Sequence, residues 1–456
     1  MKRMSIITAG LTALLLTVPI SAQAALSLGD VNGDQAVDSS DAADLLIALA
    51  NIGAGMDSGL SEEQLAVADV DGDGAYTAAD ATITLQYAAF IGAGGTGTVP
   101  EYLQGLEIEG AMNMTLDEKI CQLFIVNPEL LTQSGTITSA DSSLHDALQT
   151  YPVGGIILFG DNLTSVEQTR TMLSEMQHFA QEDGGAGLFL AVDEEGGYVA
   201  RCANNLGTPS VSPMAVYGER NSRVEAEQVG QVLSDTLHSI GFNLDFAPVA
   251  DVDLNPNNEL GSRIFSSDPA VVANMVGGVV TGIQRDNFVA ATLKHFPGLG
   301  AEDGNTHTDT KVTVYRTMDE LRAEEFVPFR GGIEAGADFV MVSHATVTGI
   351  GDDLPACVSP IVCTDLLRNE LGFEGLIVTD SMQMYTISKI YSPGEASVMA
   401  LEAGVDVLLM PDDLGAAVQG VHDAVTSGRL SEERIDESVR RILKEKQKLG
   451  IPIGKS

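Results

Sequence analysis

Basic residues are scarce: 24 Lys and Arg stand against 64 Asp and Glu, a formal net charge of −40 over 456 residues. A field of that sign repels phosphate backbones and anionic headgroups, so nucleic acid is a poor partner. Cysteine is sparse too. Cys121, Cys202, Cys357 and Cys363 show no Cys-x-x-Cys metal spacing and read as buried apolar thiols, with their pairing left open. Beyond residue 24 no run is long and apolar enough to span a bilayer. Aromatics make up only 5%, beside 48 glycines and 44% hydrophobic residues. That balance points to an α/β chain with large cores and many tight turns rather than to disorder.

What is present is unevenly spread. No Lys or Arg occurs between Arg3 and Lys119, while carboxylates recur throughout that stretch. It is either a disordered acidic tail or a segment whose carboxylates are neutralised by metal. Residues 1–24 read as a secretory signal: Lys2 and Arg3, an apolar run from Ile6 to Ile20, then Ala22-Gln23-Ala24 before a cut at Ala25. The expectation is an exported mature chain of about 432 residues with no membrane insertion.

Sliding the chain on itself by 39 residues aligns Asp30-Val-Asn-Gly-Asp34 with Asp69-Val-Asp-Gly-Asp73, Asp41 with Asp80, and Ile52-Gly-Ala-Gly55 with Ile91-Gly-Ala-Gly94. Each copy is a twelve-position loop with oxygen donors at positions one, three, five and twelve, followed by an apolar helical stretch. This is the loop logic of a hard cation, calcium, held by Asp30, Asn32, Asp34 and Asp41, and by Asp69, Asp71, Asp73 and Asp80. Asp38 at position nine acts through water, and Ala36 and Ala75 offer backbone carbonyls. Position six calls for glycine; Gly74 fits and Gln35 does not. Paired loops with a helix after each resemble the dockerin module over about residues 26–95. That resemblance implies a small all-α domain, two structural Ca2+ ions, and docking onto a cohesin of a scaffold protein. Ser39-Ser40 and Ala78-Ala79 occupy the positions that help choose the cohesin, and the unequal pairs argue against two interchangeable faces. The alternative is a calcium-stabilised spacer that docks with nothing. The expected organisation is a signal at 1–24, the calcium module at 25–95, a Gly-rich linker at 96–112 and a catalytic domain at 113–456.

From about Thr115 onward, short apolar runs alternate with helical segments. Strands are expected at Gly154–Phe159, Leu188–Val192, Leu244–Pro248, Ala290–Leu293, Phe339–Val342, Leu376–Val378 and Val405–Met410, with Leu123–Val126 as an eighth. Repetition of strand and helix gives a parallel sheet, and the count favours a closed (β/α)8 barrel over an open doubly wound sheet. Polar clusters follow five of the runs: Asp193-Glu-Glu-Gly-Gly197, Asp245 through Asp251, Lys294-His295, Ser343-His344 and Asp380-Ser-Met-Gln-Met384. The carboxyl ends of barrel strands carry active sites. Asp380 suits a nucleophile or base, Lys294 with His295 suits hydroxyl binding or charge stabilisation, and His307 sits on an exposed loop. This set suits either sugar chemistry or metal-dependent hydrolysis.

Asp193-x-Glu-Gly-Gly-x-Val-x-Arg201, Phe246-Ala-Pro-Val-Ala-Asp251, Gly261-Ser-Arg263, Lys294-His-Phe-Pro-Gly298 and Thr379-Asp380-Ser-Met resemble glycoside hydrolase family 3, in its single-domain β-N-acetylhexosaminidase branch. The resemblance implies a secreted retaining enzyme acting on terminal β-linked N-acetylglucosamine, without a catalytic cofactor. Asp380 would be the nucleophile and His307 the acid/base, with Asp193, Arg201, Arg263, Lys294 and His295 holding the sugar. The chain ends soon after a helix at 432–449, which leaves the acid to the barrel's own loop. Asn305 stands where the family places an Asp that orients this histidine; its carbonyl accepts from a ring N–H but brings no charge. Asp303 and Asp309 are the candidate substitutes, Leu299 replaces a second histidine, and Tyr198 replaces an arginine. Competing readings are a β-glucosidase or β-xylosidase, a phosphorylase, and a non-catalytic glycan-binding subunit. For His295 and His344 the alternative is a satisfied core histidine, and for Arg201 and Arg263 a surface ion pair.

Overall fold

The computed structural model describes residues 26–454 except 303 and 307. The expected signal segment lies outside these residues. The chain divides into two compact units between Gly105 and Leu106.

In the first unit each acidic loop is followed by a helix, Ser39–Gly53 and Ala78–Gly92. Asp38 and Thr77 cap them, and each N-cap side chain bonds a first-turn amide while Asp41 or Asp80 bonds back to the cap. Val31, Leu45, Ala68 and Ala81 form one small core, and Val70, Tyr87 and Val99 a second. Cores of this size leave little apolar burial to offset chain entropy, which is where metal contributes to folding. The stretch expected as a linker at 96–112 is helical over Val99–Ala111. Two contacts explain the helix. The Glu101 carboxylate accepts from Thr98 N and Oγ1 at 2.6 and 3.0 Å, and Tyr102 packs its ring edge-on to Tyr87, 5.7 Å between centroids.

The second unit is the expected barrel. Its strands are β1 (Phe124–Val126), β2 (Gly155–Ile157), β3 (Phe189–Val192), β4 (Leu244–Asp245), β5 (Ala290–Phe296), β6 (Phe339–Val342), β7 (Leu376–Thr379) and β8 (Leu408–Leu409). They pair in parallel in the order β7-β6-β5-β4-β3-β2-β1-β8. A bridge between Val378 and Val407 brings the two ends together. Buried on both faces, the strands read as continuous apolar runs. β5 runs three residues further than expected because Phe296 pairs with Val342 of β6, which places Lys294 and His295 inside the strand. β4 stops at Asp245; Pro248 offers its carbonyl to Lys294 N but has no N–H of its own. Two small pairs were not anticipated: the hairpin Glu194–Gly196/Val199–Ala200, and Thr313–Thr317 alongside Thr346–Gly349.

The glycine content has a packing role where helices Arg223–Ile240 and Pro269–Ile283 touch. A Cβ on Gly230 would lie 2.3 Å from the Val279 carbonyl oxygen, and one on Gly282 would lie 2.2 Å from that of Glu227. The backbones therefore meet directly. All four cysteines are reduced and buried.

One buried cation lies beneath the barrel. Lys446 donates to Gln122 Oε1 at 2.7 Å and lies 5.3 Å from the centre of the Phe189 ring, and among the described residues no carboxylate pairs with it. Burial pushes its ammonium down to about 7 from the usual 10.5. Between those values the unfolded chain binds a proton that the folded one sheds, so this group lowers stability as pH falls from 10.5 towards 7. Lys446→Met removes the effect. The predicted outcome is that the melting temperature of Lys446→Met, measured relative to wild type, is higher at pH 7 than at pH 9.

Candidate functional site

At the carboxyl ends of the strands lies a cavity of about 350 Å³. It gathers Asp193 from behind β3, Lys294 and His295 from β5, Asp380 from behind β7, Arg201 from the start of the helix Arg201–Leu206, Arg263 from the short helical turn Gly261–Arg263, and Asn305 from a loop.

The central feature is an ion lattice. Lys294 Nζ, almost fully buried, lies 2.8 Å from Asp193 Oδ1 and 2.6 Å from Glu195 Oε1. Arg263 closes on the same Glu195 with two parallel bonds of 2.7 Å, from Nε to Oε2 and from Nη2 to Oε1. Burial would raise the Glu195 carboxyl, but Lys294 and Arg263 outweigh it and hold it down at about 2. Arg263 is therefore no surface ion pair. Arg201 differs: its Nε is buried without a partner among the described residues while the side chain lines the cavity. A buried donor left unsatisfied is costly, and a ligand oxygen would satisfy it.

His295 is fixed from below by Asp251. Nδ1 lies 2.8 Å from Asp251 Oδ2, and the carboxylate also accepts from His295 N at 3.1 Å and Leu299 N at 2.6 Å. Nδ1 therefore carries the proton toward Asp251, and Nε2 is the nitrogen not engaged by it. The peptide bond between Lys294 and His295 is cis.

Asp380 sits half-buried where β7 ends, its Oδ1 accepting from Ser381 N at 2.7 Å. Burial alone would raise its pKa. His295, His344, the Ser381 N–H and Lys294 instead hold it below the ordinary carboxylate range, so it is an ionised carboxylate at neutral pH. His344 does not line the cavity. Buried, it places Nε2 2.8 Å from the Ser381 carbonyl and Nδ1 3.1 Å from Cys357 Sγ, and so supports the residue after Asp380. Asp245 is likewise buried away from the cavity, where it accepts from Glu194 N at 3.0 Å. Met384, Leu409 and Met410 supply an apolar wall, whereas Met382 is core.

Asn305 lines the cavity beside Thr306, whose hydroxyl donates to Glu259 at 2.7 Å. Asp309, one of the proposed substitutes for the missing aspartate, accepts from Asn305 N at 2.9 Å and so shapes the turn. Asp303 and His307 lie outside the described residues. Glu302 in the same loop is fully buried and is pushed up to about 7 by burial and by Glu259. Glu195 of the lattice and Asp251 beneath His295 were within recognised motifs but were not selected as site residues. The signal for both was available: a carboxylate next to a strand end that also holds a buried Lys or His.

The acidic loops of the first unit fit a divalent cation. Carboxylate oxygens of Asp69, Asp71 and Asp73 come within 4.8 Å of one another, and Asp69 Oδ1 is buried with no hydrogen-bond donor among the described residues. The other Asp69 oxygen accepts from Gly74 N at 2.9 Å. Asp80 closes the loop by accepting from Val70 N at 2.7 Å and Thr77 N at 2.8 Å. Asp41 does the same in the first loop with Asn32 N and Asp38 N at 2.9 and 2.8 Å. There Asp30 accepts from Gly33 N at 2.9 Å, and Asp34 from Ala36 N at 2.9 Å. Gln35 takes the left-handed conformation expected of glycine, with φ 72° against 83° at Gly74. The first loop thus keeps the turn at a conformational cost. The four carboxylate-bearing side chains of the second loop, with the carbonyl of Ala75, are the donors that would hold Ca2+.

Residues 115–444 match the glycosyl hydrolase family 3 N-terminal domain, and residues 28–87 match the dockerin type I domain. The chain is 31% identical over 341 residues to the Beta-hexosaminidase A of Pseudoalteromonas piscicida, covering 69% of this chain and 56% of that protein. It is 36% identical over 305 residues to the Beta-hexosaminidase of Stenotrophomonas maltophilia (strain R551-3), covering 64% of this chain and 87% of that one. A glycoside hydrolase family 3 beta-N-acetylglucosaminidase from Paenibacillus sp. str. FPU-7 superposes with a TM-score of 0.69 at 35% identity, over 74% of this chain and 63% of that one.

Two outcomes follow from these geometries. Glu195→Gln breaks a buried ion lattice and should cost about 3 kcal/mol in denaturant unfolding at pH 7. Because the folded carboxyl sits near 2 and the ordinary value is 4.5, the stabilisation is present above 4.5 and lost as pH falls towards 2, so the gap to wild type narrows over that range. In the full chain, EDTA should lower the unfolding transition of the first unit, as seen by calorimetry, and Ca2+ should restore it.

Proposed function

The chain belongs to glycosyl hydrolase family 3, and from that premise we propose that it is an exported retaining exo-β-N-acetylhexosaminidase that releases terminal β-linked N-acetylglucosamine. Its dockerin module would attach it to a cohesin of a cellulosomal scaffold, with two structural Ca2+ ions in that module. The observation that carries the reading is Asp380. It is an ionised carboxylate at a barrel strand end, in a cavity it shares with the Lys294 ammonium, the Arg201 and Arg263 guanidiniums, the His295 imidazole fixed by Asp251, and the carboxylates of Asp193, Glu195 and Glu259. Asp193, Lys294, Arg201, Arg263 and His295 present donors and acceptors suited to the hydroxyls of one pyranose ring.

In this proposal the Asp380 carboxylate attacks the anomeric carbon and the glycosidic oxygen leaves with a proton from His307. Water then displaces Asp380, with His307 taking its proton, so two inversions retain configuration. Asn305, at the position that orients His307, would accept from its ring N–H through the amide carbonyl without adding charge. Lys294 and Arg263 keep Glu195 charged and Lys294 also holds Asp193 in place, which pre-organises the sugar pocket before substrate arrives.

The test is hydrolysis of 4-nitrophenyl β-N-acetylglucosaminide beside the β-glucoside and β-xyloside, each with and without phosphate. The acetamido substrate should be preferred by at least tenfold, phosphate should leave sugar 1-phosphate undetectable, and Asp380→Ala should lower kcat by more than a thousandfold. Undiminished turnover in Asp380→Ala would overturn the assignment of the nucleophile. Preference for glucoside, or phosphate-dependent product, would replace the activity by one of its competitors.

A further inference from the structure

Tyr198 is the exposed aromatic of the cavity. It lines the mouth with 58% of its surface open to solvent, whereas Phe246 is buried in the floor. An aromatic ring at the rim of a polar pocket offers a ligand a flat apolar face.

The ring is carried on a rigid support. It occupies the connection of the hairpin Glu194–Gly196/Val199–Ala200, directly after two glycines with positive φ, Gly196 at 96° and Gly197 at 62°. A Cβ on Gly196 would come within 2.4 Å of Val211 Cγ2, so the turn is packed against the segment behind it. Gly197 N donates to the Val211 carbonyl at 3.1 Å, and Asn204 Nδ2 donates to the Tyr198 carbonyl, also at 3.1 Å. The hairpin base is held in turn by Glu194, which accepts from Cys202 N at 2.7 Å and Ala203 N at 3.0 Å. Tyr198 is thus an exposed ring on a fixed backbone, close in sequence to Arg201 and Glu195 on the same wall of the cavity.

We propose that Tyr198 forms a leaving-group subsite, a platform on which the second sugar of the substrate stacks the apolar face of its ring. This rests on the glycosidase reading above and extends it to the substrate class: an oligosaccharide of at least two pyranoses, neutral at the leaving ring. Neutrality follows from charge. Around the cavity Asp193, Glu195, Glu259 and Asp380 outnumber Arg201, Arg263 and Lys294, and the chain as a whole carries −40. An acidic substituent on the second ring would enter against that field.

The test compares three substrates: N,N′-diacetylchitobiose, the same disaccharide with a lactyl acid on its reducing ring, and β-N-acetylglucosaminyl fluoride, whose leaving group has no ring. In Tyr198→Ala, kcat/KM for chitobiose should fall about tenfold more than for the fluoride, and Tyr198→Phe should recover most of that loss. Wild type should favour the neutral disaccharide over the acidic one. Equal losses on chitobiose and fluoride, or no loss on chitobiose, would overturn the platform; preference for the acidic disaccharide would overturn its neutrality. Wild-type turnover of the fluoride reads the underlying activity separately. If it is absent, calorimetric binding of chitobiose to wild type and Tyr198→Ala decides the platform alone, with weaker binding by the variant expected and equal binding contradicting it.

Discussion

An ammonium that keeps its charge when almost completely buried needs carboxylates around it, and Lys294 meets that need with Asp193 and Glu195 at 2.8 and 2.6 Å. Withdrawing these charges from water costs several kcal/mol per ion. The cost is offset only when every partner is placed at hydrogen-bond distance. The barrel does the placing: Lys294 comes from β5, Asp193 and Glu195 from the end of β3, and Arg263 from the loop that follows β4. Because Glu195 is gripped on both sides, the pocket keeps its shape without a ligand. The remaining polar side chains, Asp380, His295 and Arg201, are arranged around this fixed centre.

The same field sets the protonation of Asp380, the proposed nucleophile. Burial favours a neutral Asp380, and His295, His344, the Ser381 amide and Lys294 reverse that preference. A carboxylate that stays ionised at neutral pH is a competent nucleophile. Support reaches it through the backbone as well, since His344 holds the Ser381 carbonyl and Asp251 holds His295. Removing charge from the lattice would therefore act on Asp380 at a distance, without touching it.

Much of this was legible in the sequence. All eight barrel strands were visible as apolar runs, since a parallel strand buried on both faces has no polar alternation to confuse it. The two loops were visible because calcium chemistry fixes donor spacing. What escaped notice depends on three-dimensional partners. The helix Val99–Ala111 follows a Gly-rich run; its Thr98–Glu101 cap is local, and the Tyr102–Tyr87 contact that holds it reaches back to the preceding helix. Gln35 departs from the preferred glycine yet occupies the same left-handed region, because the loop's side-chain bonds over-determine the turn. Glu195 was passed over beside Asp193 because adjacent carboxylates look alike until Lys294 and Arg263 are seen to converge on one of them.

The central claim is that Asp380 becomes covalently bonded to the sugar. The direct measurement is peptide mass mapping after reaction with a ring-fluorinated N-acetylglucosaminyl fluoride, which slows breakdown of the glycosyl-enzyme. One sugar on the peptide containing Thr379–Met384, located at Asp380, is the predicted result. A label on another residue, or turnover to the inverted anomer with no label at all, would contradict it.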